Sequence, residues 1–355
     1  MNAARYHGRE DIRVEELETD PVGTGEVRIA VAACGICGSD LHEYAAGPLF
    51  IPDETPHPIT NETLPIRMGH EFAGTVTEVG AGVTGTEVGD GVAVNPLLSC
   101  GDCAQCRAGQ YHLCASTGYL GLSGGPGGFA ESVVVDAARV VPLGEVPLEA
   151  GALVEPFAVA LHAVRRSGLR AGDTVAVFGG GPIGLAVVQC ARAAGAGTVF
   201  LSEPRAARRE RAADCGADEC IDPTETDAVR AIKSTTDGGV DIAFEAAGVA
   251  AAFTDSVRAT APQGRTTVVS LWEEAVTTNP NHIVLAEKTV TGSVAYHGPD
   301  VDGEFEMVVQ LLVDGRLDPD PLVTGRLPLD RITEGFDRLR DPESDDVKLL
   351  VEPNR

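Results

Sequence analysis

A glycine-rich turn between an apolar strand and an apolar helix constrains the fold of this chain more than any other feature. Residues 173–178 predict a buried strand, Gly179-Gly-Gly-Pro-Ile-Gly184 the turn, and 185–194 the helix. A second strand over 198–202 ends at Glu203, nineteen residues after Gly184. A glycine turn between strand and helix, followed at this spacing by an acid, is the fingerprint of a dinucleotide-binding βαβ unit.

The same segment supplies the candidate cofactor-binding residues. In the turn they are Gly179, Gly181, Pro182, Ile183 and Gly184, where the backbone approaches a pyrophosphate whose charge the helix N-terminus stabilises. Glu203 can accept both ribose hydroxyl protons and would repel a 2′-phosphate, so NAD is favoured over NADP. Arg208, with its neighbours Arg205 and Arg209, keeps NADP open as an alternative, since one of these arginines can grip a phosphate.

Further β–α alternation follows the turn. Strands are predicted over 219–221, 240–245, 266–271 and 289–295, with helices between them. Five or more strands with crossover helices indicate a doubly wound parallel sheet. Ala247 and Ser270 fall at strand ends, where such sheets bind ligands, and they complete the candidate cofactor site.

A second constellation predicts a catalytic metal site in the N-terminal half. A strand over 26–33 leads into Cys34-Gly-Ile-Cys37-Gly-Ser39-Asp40-Leu-His42, and Gly69-His70-Glu71 follows downstream. A thiolate from Cys37, an imidazole from His70 and a carboxylate from Glu71 or Glu155 would give Zn²⁺ three protein ligands and one open position. Ser39 or Asp40 is predicted to cap the helix that follows the cysteine.

The segment from Cys100 to Cys114 predicts a second, structural metal site. Cys100, Cys103, Cys106 and Cys114 have the spacing C-x2-C-x2-C-x7-C, which suits a closed tetrahedral zinc site. An iron–sulfur cluster is the competing interpretation, but no proline follows the fourth cysteine. The chain is therefore expected to bind two zinc ions, one catalytic and one structural.

Charge excludes several function classes. The formal net charge is −26, from 53 acidic and 27 basic residues, which argues against nucleic-acid and membrane-surface roles. The acids are spread along the chain, which predicts a solvated acidic shell as in proteins of a high-salt cytoplasm; an ordinary acidic mesophilic enzyme is the alternative. No transmembrane helix and no signal peptide are expected, so we predict a cytoplasmic protein.

Together these motifs resemble the zinc-dependent medium-chain dehydrogenases over essentially the whole chain. Besides the motifs above, the resemblance rests on the insertion Gly47-Pro-Leu-Phe-Ile-Pro52 with His57-Pro-Ile59, on Gly121-Leu-Ser-Gly124 and on Ala152-Leu-Val-Glu-Pro156. Within the family it points to the branch of 2,3-butanediol, sorbitol and L-threonine dehydrogenases, and the insertion favours the butanediol type.

The resemblance implies an α/β protein with a GroES-like, β-rich catalytic domain over 1–153 and 291–355 and a Rossmann domain over 154–290, with the site at the cleft between them. It implies hydride transfer between a secondary alcohol or vicinal diol and NAD, with Ser39 and His42 passing the proton outward. A small-molecule alcohol partner and a homodimer or homotetramer are expected. Polyol and L-threonine oxidation remain alternatives, and a non-catalytic NAD-binding sensor is the alternative from another class.

Overall fold

The structure is a computed structural model that describes residues 1–272, 274–297 and 303–355. Its contacts divide the chain into two compact units. The first comprises Met1–Glu155, His297–Val313 and Val323–Arg355, and the second comprises Pro156–Tyr296 and Asp314–Leu322. The predicted domain limits are close to this division in sequence but remain predictions.

The first unit consists mainly of β-strands, and the second unit contains a parallel sheet. Among the described residues they are, in chain order, β1 (Asn2–Gly8), β2 (Asp11–Glu16), β3 (Glu26–Gly35), β4 (Ile66–Arg67), β5 (Glu71–Val79), β6 (Gly91–Val94), β7 (Leu97–Leu98), β8 (Gly118–Tyr119), β9 (Ser132–Asp136), β10 (Val140–Pro142), β11 (Val175–Phe178), β12 (Val199–Ser202), β13 (Glu219–Ile221), β14 (Val240–Glu245), β15 (Thr260–Val268), β16 (Thr289–Gly292), β17 (Val323–Pro328) and β18 (Lys348–Glu352).

The α-helices connect these strands. In the same order they are α1 (Gly38–Ala46), α2 (Ala104–Arg107), α3 (Leu148–Gly151), α4 (Val154–Ser167), α5 (Pro182–Ala193), α6 (Ala206–Asp214), α7 (Ala228–Thr235), α8 (Ala250–Ala259), α9 (Asn281–Val284), α10 (Gly303–Val313) and α11 (Ile332–Arg340).

The first unit is built around a sheet with the order β10-β6-β5-β3-β18-β17, in which β9 also pairs with β3. The strand β3 alternates between buried and half-buried residues over most of its length, as expected for a strand with one face on a core. That core contains the buried rings of Tyr6, Phe72, Phe129 and Phe336. β18 pairs antiparallel with β3, opposite Cys34 and Gly35, so a late segment of the chain lies next to the start of the predicted metal site.

The second unit is a six-stranded sheet with the order β13-β12-β11-β14-β15-β16, and every pairing in it is parallel. Counted from β11, this is the strand order 3-2-1-4-5-6 of the doubly wound dinucleotide-binding fold, which confirms the predicted fold class. The sequence prediction placed the fifth strand at 266–271, whereas β15 begins at Thr260 and ends at Val268. The prediction began too late because Pro262 and Gly264 are typical of turns and concealed the first half of this strand.

Candidate functional site

Cys37 lies where β3 gives way to α1. Its backbone is extended, with φ −95° and ψ 159°, and it is the N-cap residue of α1. The cap differs from the predicted one, because the Asp40 carboxylate reaches back and accepts the Cys37 N–H at 2.9 Å. An acid in the first helical turn also complements the helix dipole. The backbone that carries the Cys37 thiol is thus fixed by a fully buried carboxylate.

His70 and Glu71 reach the same place through strand register. Glu71, the first residue of β5, pairs with Gly35 of β3, two residues before Cys37. Gly69 precedes them with φ +97°, and a Cβ at this position would lie 2.7 Å from the Cys34 sulfur. Only glycine therefore fits this turn. The structure accordingly brings together Cys37, His70 and Glu71, and one potential ligand atom from each lies within 4.8 Å of the others.

This Cys37 cluster has the chemistry of a zinc site. Sulfur, nitrogen and oxygen donors are the ligand types of catalytic zinc. The His70 Nδ1 atom is buried 3.5 Å from an Asp40 oxygen, and neither atom has a hydrogen-bond partner among the described residues. Burial opposes the charged form of His70, but the negative charges of Asp40 and Cys37 outweigh it and hold the imidazole pKa well above its ordinary value. The same negative charges of Asp40 and Cys37 that favour a proton on His70 would also favour a metal cation at this place.

The two candidate carboxylates differ in their surroundings. Both oxygens of Glu71 accept from Lys348 Nζ, at 2.8 and 2.7 Å, and this ion pair is fully buried. Glu155 is buried outside the group of three ligand atoms. Burial raises the pKa of Glu155 to about 7, with Glu71 and Asp40 adding to the effect and His70 opposing it. Glu155 therefore belongs to the same electrostatic environment as the Cys37 cluster.

Sequence reasoning missed Lys348 and Tyr119 as members of this site. Lys348 lies 277 residues after Glu71, and no local motif marks it. The Tyr119 ring centroid is 6.4 Å from that of His70. Burial, Glu155 and Cys37, in that order, raise the pKa of the Tyr119 phenol above its usual value. Tyr119 follows the four cysteines in an otherwise glycine-rich segment, and this isolated aromatic residue was the available signal.

The two residues predicted to move a proton lie on α1. Ser39 Oγ is 3.3 Å from His70 Nε2, so the serine contacts the Cys37 cluster directly. His42 is half-buried one helical turn later. Because residues three apart share a face of a helix, Ser39 and His42 form a row that starts at the Cys37 cluster.

The four cysteines form a compact lobe. The sulfur pairs Cys100–Cys106 and Cys103–Cys114 are each 4.0 Å apart, and all four sulfurs lie within 4.8 Å of one another. Four thiolates around one zinc ion would be separated by about 3.8 Å, given Zn–S bonds of about 2.3 Å. Backbone N–H groups of Cys106 and Ala115 lower the pKa of Cys103 to about 6. The thiols thus fit a single tetrahedral ion better than a cluster of several iron atoms.

The glycine turn has the expected geometry. Gly179 follows β11 with φ +110°, and Gly181 is the N-cap of α5, with Pro182 in its first turn. A Cβ on Gly184 would overlap the carbonyl oxygen of Gly179, so the helix and the turn approach too closely for any side chain there. Ile183 is half-buried in the first turn of α5. The N–H groups at the start of α5 therefore follow the turn directly, as a pyrophosphate site requires.

Glu203 follows β12 and faces this turn. Its carboxylate is buried and accepts the Gly180 N–H at 2.7 Å and the Arg205 N–H at 2.9 Å. Arg209 is occupied elsewhere, since it donates to the Glu203 carbonyl at 2.8 Å and pairs with Asp222 at 3.0 Å. Arg208 lies on α6, one residue before Arg209. These backbone hydrogen bonds fix the Glu203 carboxylate beside the turn. In that position it could accept hydrogen bonds from the hydroxyl groups of a ribose.

Ala247 and Ser270 lie beyond the ends of two neighbouring strands, β14 and β15. Both contact the buried carboxylate of Glu245, which accepts the Ala247 N–H at 2.8 Å and a hydrogen bond from the Ser270 hydroxyl. Sequence reasoning named Ala247 and Ser270 but not Glu245, which it treated as the last residue of a strand. An acid directly after the apolar run Ile242-Ala-Phe244 was the signal.

A separate cleft of about 580 Å³ opens in the second unit. Four basic residues line it, namely Arg230, Lys233, Arg258 and Lys288. Because Arg258 lies in the last turn of α8 and Lys288 directly precedes β16, the cleft lies at the amino ends of the strands, opposite the glycine turn. None of the predicted site residues lines it.

Among the described residues, no helix combines the length and the apolarity needed to cross a bilayer.

Family models match both parts of the chain. Residues 23–145 match the alcohol dehydrogenase GroES-like domain, and residues 182–314 match the zinc-binding dehydrogenase domain.

Individual proteins are similar over the whole length. (R,R)-Butanediol dehydrogenase of Bacillus subtilis is 47% identical, with 100% of both chains covered. The crystal structure of 2R,3R-butanediol dehydrogenase from Bacillus subtilis superimposes with a TM-score of 0.92, at 46% identity and 99% coverage of each chain. A zinc-binding dehydrogenase of Sinorhizobium meliloti, solved bound to NADP, reaches a TM-score of 0.88 at 34% identity, again with 99% of each chain covered.

Proposed function

This chain belongs to the alcohol dehydrogenase family that combines a GroES-like domain with a zinc-binding dehydrogenase domain, and from this premise we propose that it oxidises a vicinal diol of the 2,3-butanediol type, reversibly, with NAD. The observation that carries the proposal is the Cys37 cluster, whose mixed donors suit a zinc ion with an open position. The similarity to butanediol dehydrogenases supports the choice of substrate.

Cys37 and His70 would hold the catalytic zinc, together with a carboxylate from Glu71 or Glu155. When bound, zinc lowers the pKa of an alcohol hydroxyl, and NAD accepts the hydride. Glu71 already has a cationic partner in Lys348. Burial raises the pKa of Glu155 to about 7 and outweighs the opposing charges of His70 and Lys348. Both carboxylates stay in the proposal, as direct ligands or as groups that balance the charge of the ion.

Ser39 and His42 would carry the proton away. The Ser39 hydroxyl, next to His70, accepts the proton of the substrate hydroxyl and donates its own outward. His42 lies on the same face of α1, and an imidazole can both accept and donate a proton. Tyr119, half-buried beside His70, and Lys348, fully buried beside Glu71, would limit the access of water and fix the charge around the Cys37 cluster.

NAD is the proposed cofactor, held by Gly179, Gly181, Pro182, Ile183, Gly184, Glu203, Ala247 and Ser270, with Arg208 at the edge of the site. The Glu203 carboxylate is buried against the glycine turn, so a 2′-phosphate on the ribose would meet a like charge. NADP is the second candidate, because a similar protein has been solved with it. The engagement of Arg209 with Asp222 favours NAD.

A substrate panel tests the proposal. The purified protein is assayed with (R,R)-2,3-butanediol, sorbitol and L-threonine, each with NAD and with NADP. We expect the highest kcat/KM for butanediol with NAD, and threonine turnover well above diol turnover would overturn the assignment. Cys37→Ser is expected to abolish turnover and reduce bound zinc from two ions to one per chain.

Cys220→Ser is the matched control, since Cys220 is a half-buried cysteine outside both metal sites. It should keep both zinc ions and full activity. If Cys37→Ser left the biological function unchanged, the non-catalytic sensor would replace the enzyme as the better hypothesis.

We further propose that Cys100, Cys103, Cys106 and Cys114 hold the structural zinc, that the two domains have the limits given above, and that the protein is a cytoplasmic homodimer or homotetramer. The net charge of −26 supports adaptation to high salt. Activity and helicity measured against KCl test this part. Full function after long dialysis into low salt would remove the halophilic interpretation.

A further inference from the structure

Glu245 is a buried acid for which the proposed reaction has no direct use. It ends β14, the first strand of the second half of the sheet, and its exposed fraction is 0%. No cationic side chain pairs with it among the described residues. A buried carboxylate without a counter-ion is costly unless hydrogen bonds satisfy it, so its contacts indicate what it does.

The Glu245 carboxylate joins two strand ends. One oxygen accepts the N–H groups of Ala247 and Gly248, both at 2.8 Å. The other accepts the hydroxyl of Ser270, beyond the end of β15. The Glu245 carbonyl also accepts the Val269 N–H at 2.9 Å. One residue therefore sets the backbone course of the loop after β14 and of the segment after β15.

The loop after β14 packs against the glycine turn. A Cβ on Gly179 would lie 3.0 Å from the Ala246 carbonyl and from the Ala247 side chain. β14 and β11 are neighbours, and the strand order reverses between them, which is where doubly wound sheets bind a dinucleotide. Glu203 and β12 belong to the half of the sheet that would bind the ribose on the adenine side of the cofactor. The segments fixed by Glu245 belong to the other half.

We infer that Glu245 is a positioning residue for the nicotinamide half of the cofactor: it orders the 246–248 loop and Ser270 so that their backbone meets the nicotinamide nucleotide. This inference rests on the proposed use of NAD. It predicts that the two halves of the cofactor respond differently to changes at Glu245. Affinity for NADH falls, whereas affinity for ADP, which contains only the adenine half, is preserved.

Three variants separate the effect of the length of the side chain at position 245 from the effect of its charge. Glu245→Ala removes both acceptors. Glu245→Asp keeps the charge but draws the carboxylate back by one methylene, so it cannot bridge both segments. Glu245→Gln keeps the reach and one acceptor oxygen, and its amide can donate to Ser270. We expect Ala and Asp to raise the Kd for NADH by about tenfold or more, and Gln by less than about threefold.

The zinc-loaded protein is titrated with NADH by fluorescence and with ADP by calorimetry, and zinc content and circular dichroism are recorded for each variant. Glu203→Ala is the comparison for the adenine half, because it should weaken ADP and NADH together. We expect NADH affinity to be nearly preserved in Glu245→Gln but lost in Glu245→Asp. General damage to the sheet would not produce this difference.

The outcomes are distinct. Unchanged NADH affinity in Glu245→Asp, or ADP affinity that falls in parallel with it, would overturn the inference. If Glu245→Ala does not fold, Glu245→Asp decides alone. A wild-type protein that fails to bind NADH at all would instead refute the proposed function.

Discussion

Replacing Lys348 by methionine should destabilise the first unit by several kilocalories per mole. Lys348 Nζ contacts both Glu71 oxygens and the Ile36 carbonyl, at 2.7 to 3.0 Å, and both charged side chains are at most 1% exposed. In the metal-free protein, methionine fills the space of the lysine stem but leaves the Glu71 carboxylate buried and unpaired. Breaking a buried pair in this way costs about 3–5 kcal/mol. For a unit of about 200 residues, this lowers the melting temperature by roughly 6–20 °C.

Urea unfolding of the metal-free protein, followed by circular dichroism, measures the change at fixed KCl concentration. The double variant Glu71→Gln with Lys348→Met should recover most of the lost stability, because it removes both charges. Arg331→Met is the matched control, since it breaks the exposed pair of Arg331 with Glu334, whose side chains are 57% and 40% exposed. It should be indistinguishable from the wild type. A loss of less than about 1 kcal/mol in Lys348→Met would contradict this prediction, and so would a double variant as unstable as the two single effects added together.

Three further predictions address other parts of the chain. Tyr6→Phe removes the hydrogen bond to the Glu43 carbonyl at 2.7 Å and should cost about 1 kcal/mol. Burial, then Glu43 and Asp53, raises the pKa of Tyr6 to about 12 from 10.0, so its stabilisation is complete below pH 10 and is lost as the pH rises towards 12. The advantage of the wild type over Tyr6→Phe in free energy of unfolding should therefore shrink as the pH rises across this range. A constant difference would contradict the assignment. Cys103→Ser should leave one zinc ion per chain, measured by a chromogenic chelator, and lower the melting temperature; retention of two ions would argue against a structural site. Glu203→Gln should raise the ratio of NADP to NAD activity, and an unchanged ratio would mean that this carboxylate does not select the cofactor.

The features that could be predicted from sequence are those determined over short stretches. The glycine turn, its flanking strand and helix, and Glu203 lie within about thirty residues, and steric limits on glycine and strand periodicity identify them locally. The four cysteines are equally local. The prediction that Cys37 and His70 meet rested on the donor types that zinc prefers and was strengthened by the family resemblance, since neither strand alone reveals the register between β3 and β5.

Other features depend on contacts that no local pattern encodes. Lys348 joins the Cys37 cluster only because β18 pairs with β3, and one lysine among strand residues carries no sign of that pairing. The sequence pattern predicts Glu245 only as the last residue of a strand, because its hydrogen-bond partners lie on two separate segments. Glu71 and Glu155 are equivalent candidate ligands in the sequence, because what distinguishes them is their buried surroundings in the fold.

The long separation between Glu71 and Lys348 has a consequence for biosynthesis. At about 5–20 residues per second, a ribosome needs roughly 14–55 s to make the 277 residues between them. Throughout that interval the nascent N-terminal segment carries a carboxylate with no lysine to neutralise it, and β3 lacks one neighbour. The sheet that contains the glycine turn is translated entirely within this window. The nucleotide-binding half can therefore mature on the ribosome first, whereas the segment that carries the metal ligands must wait for the final strand to emerge.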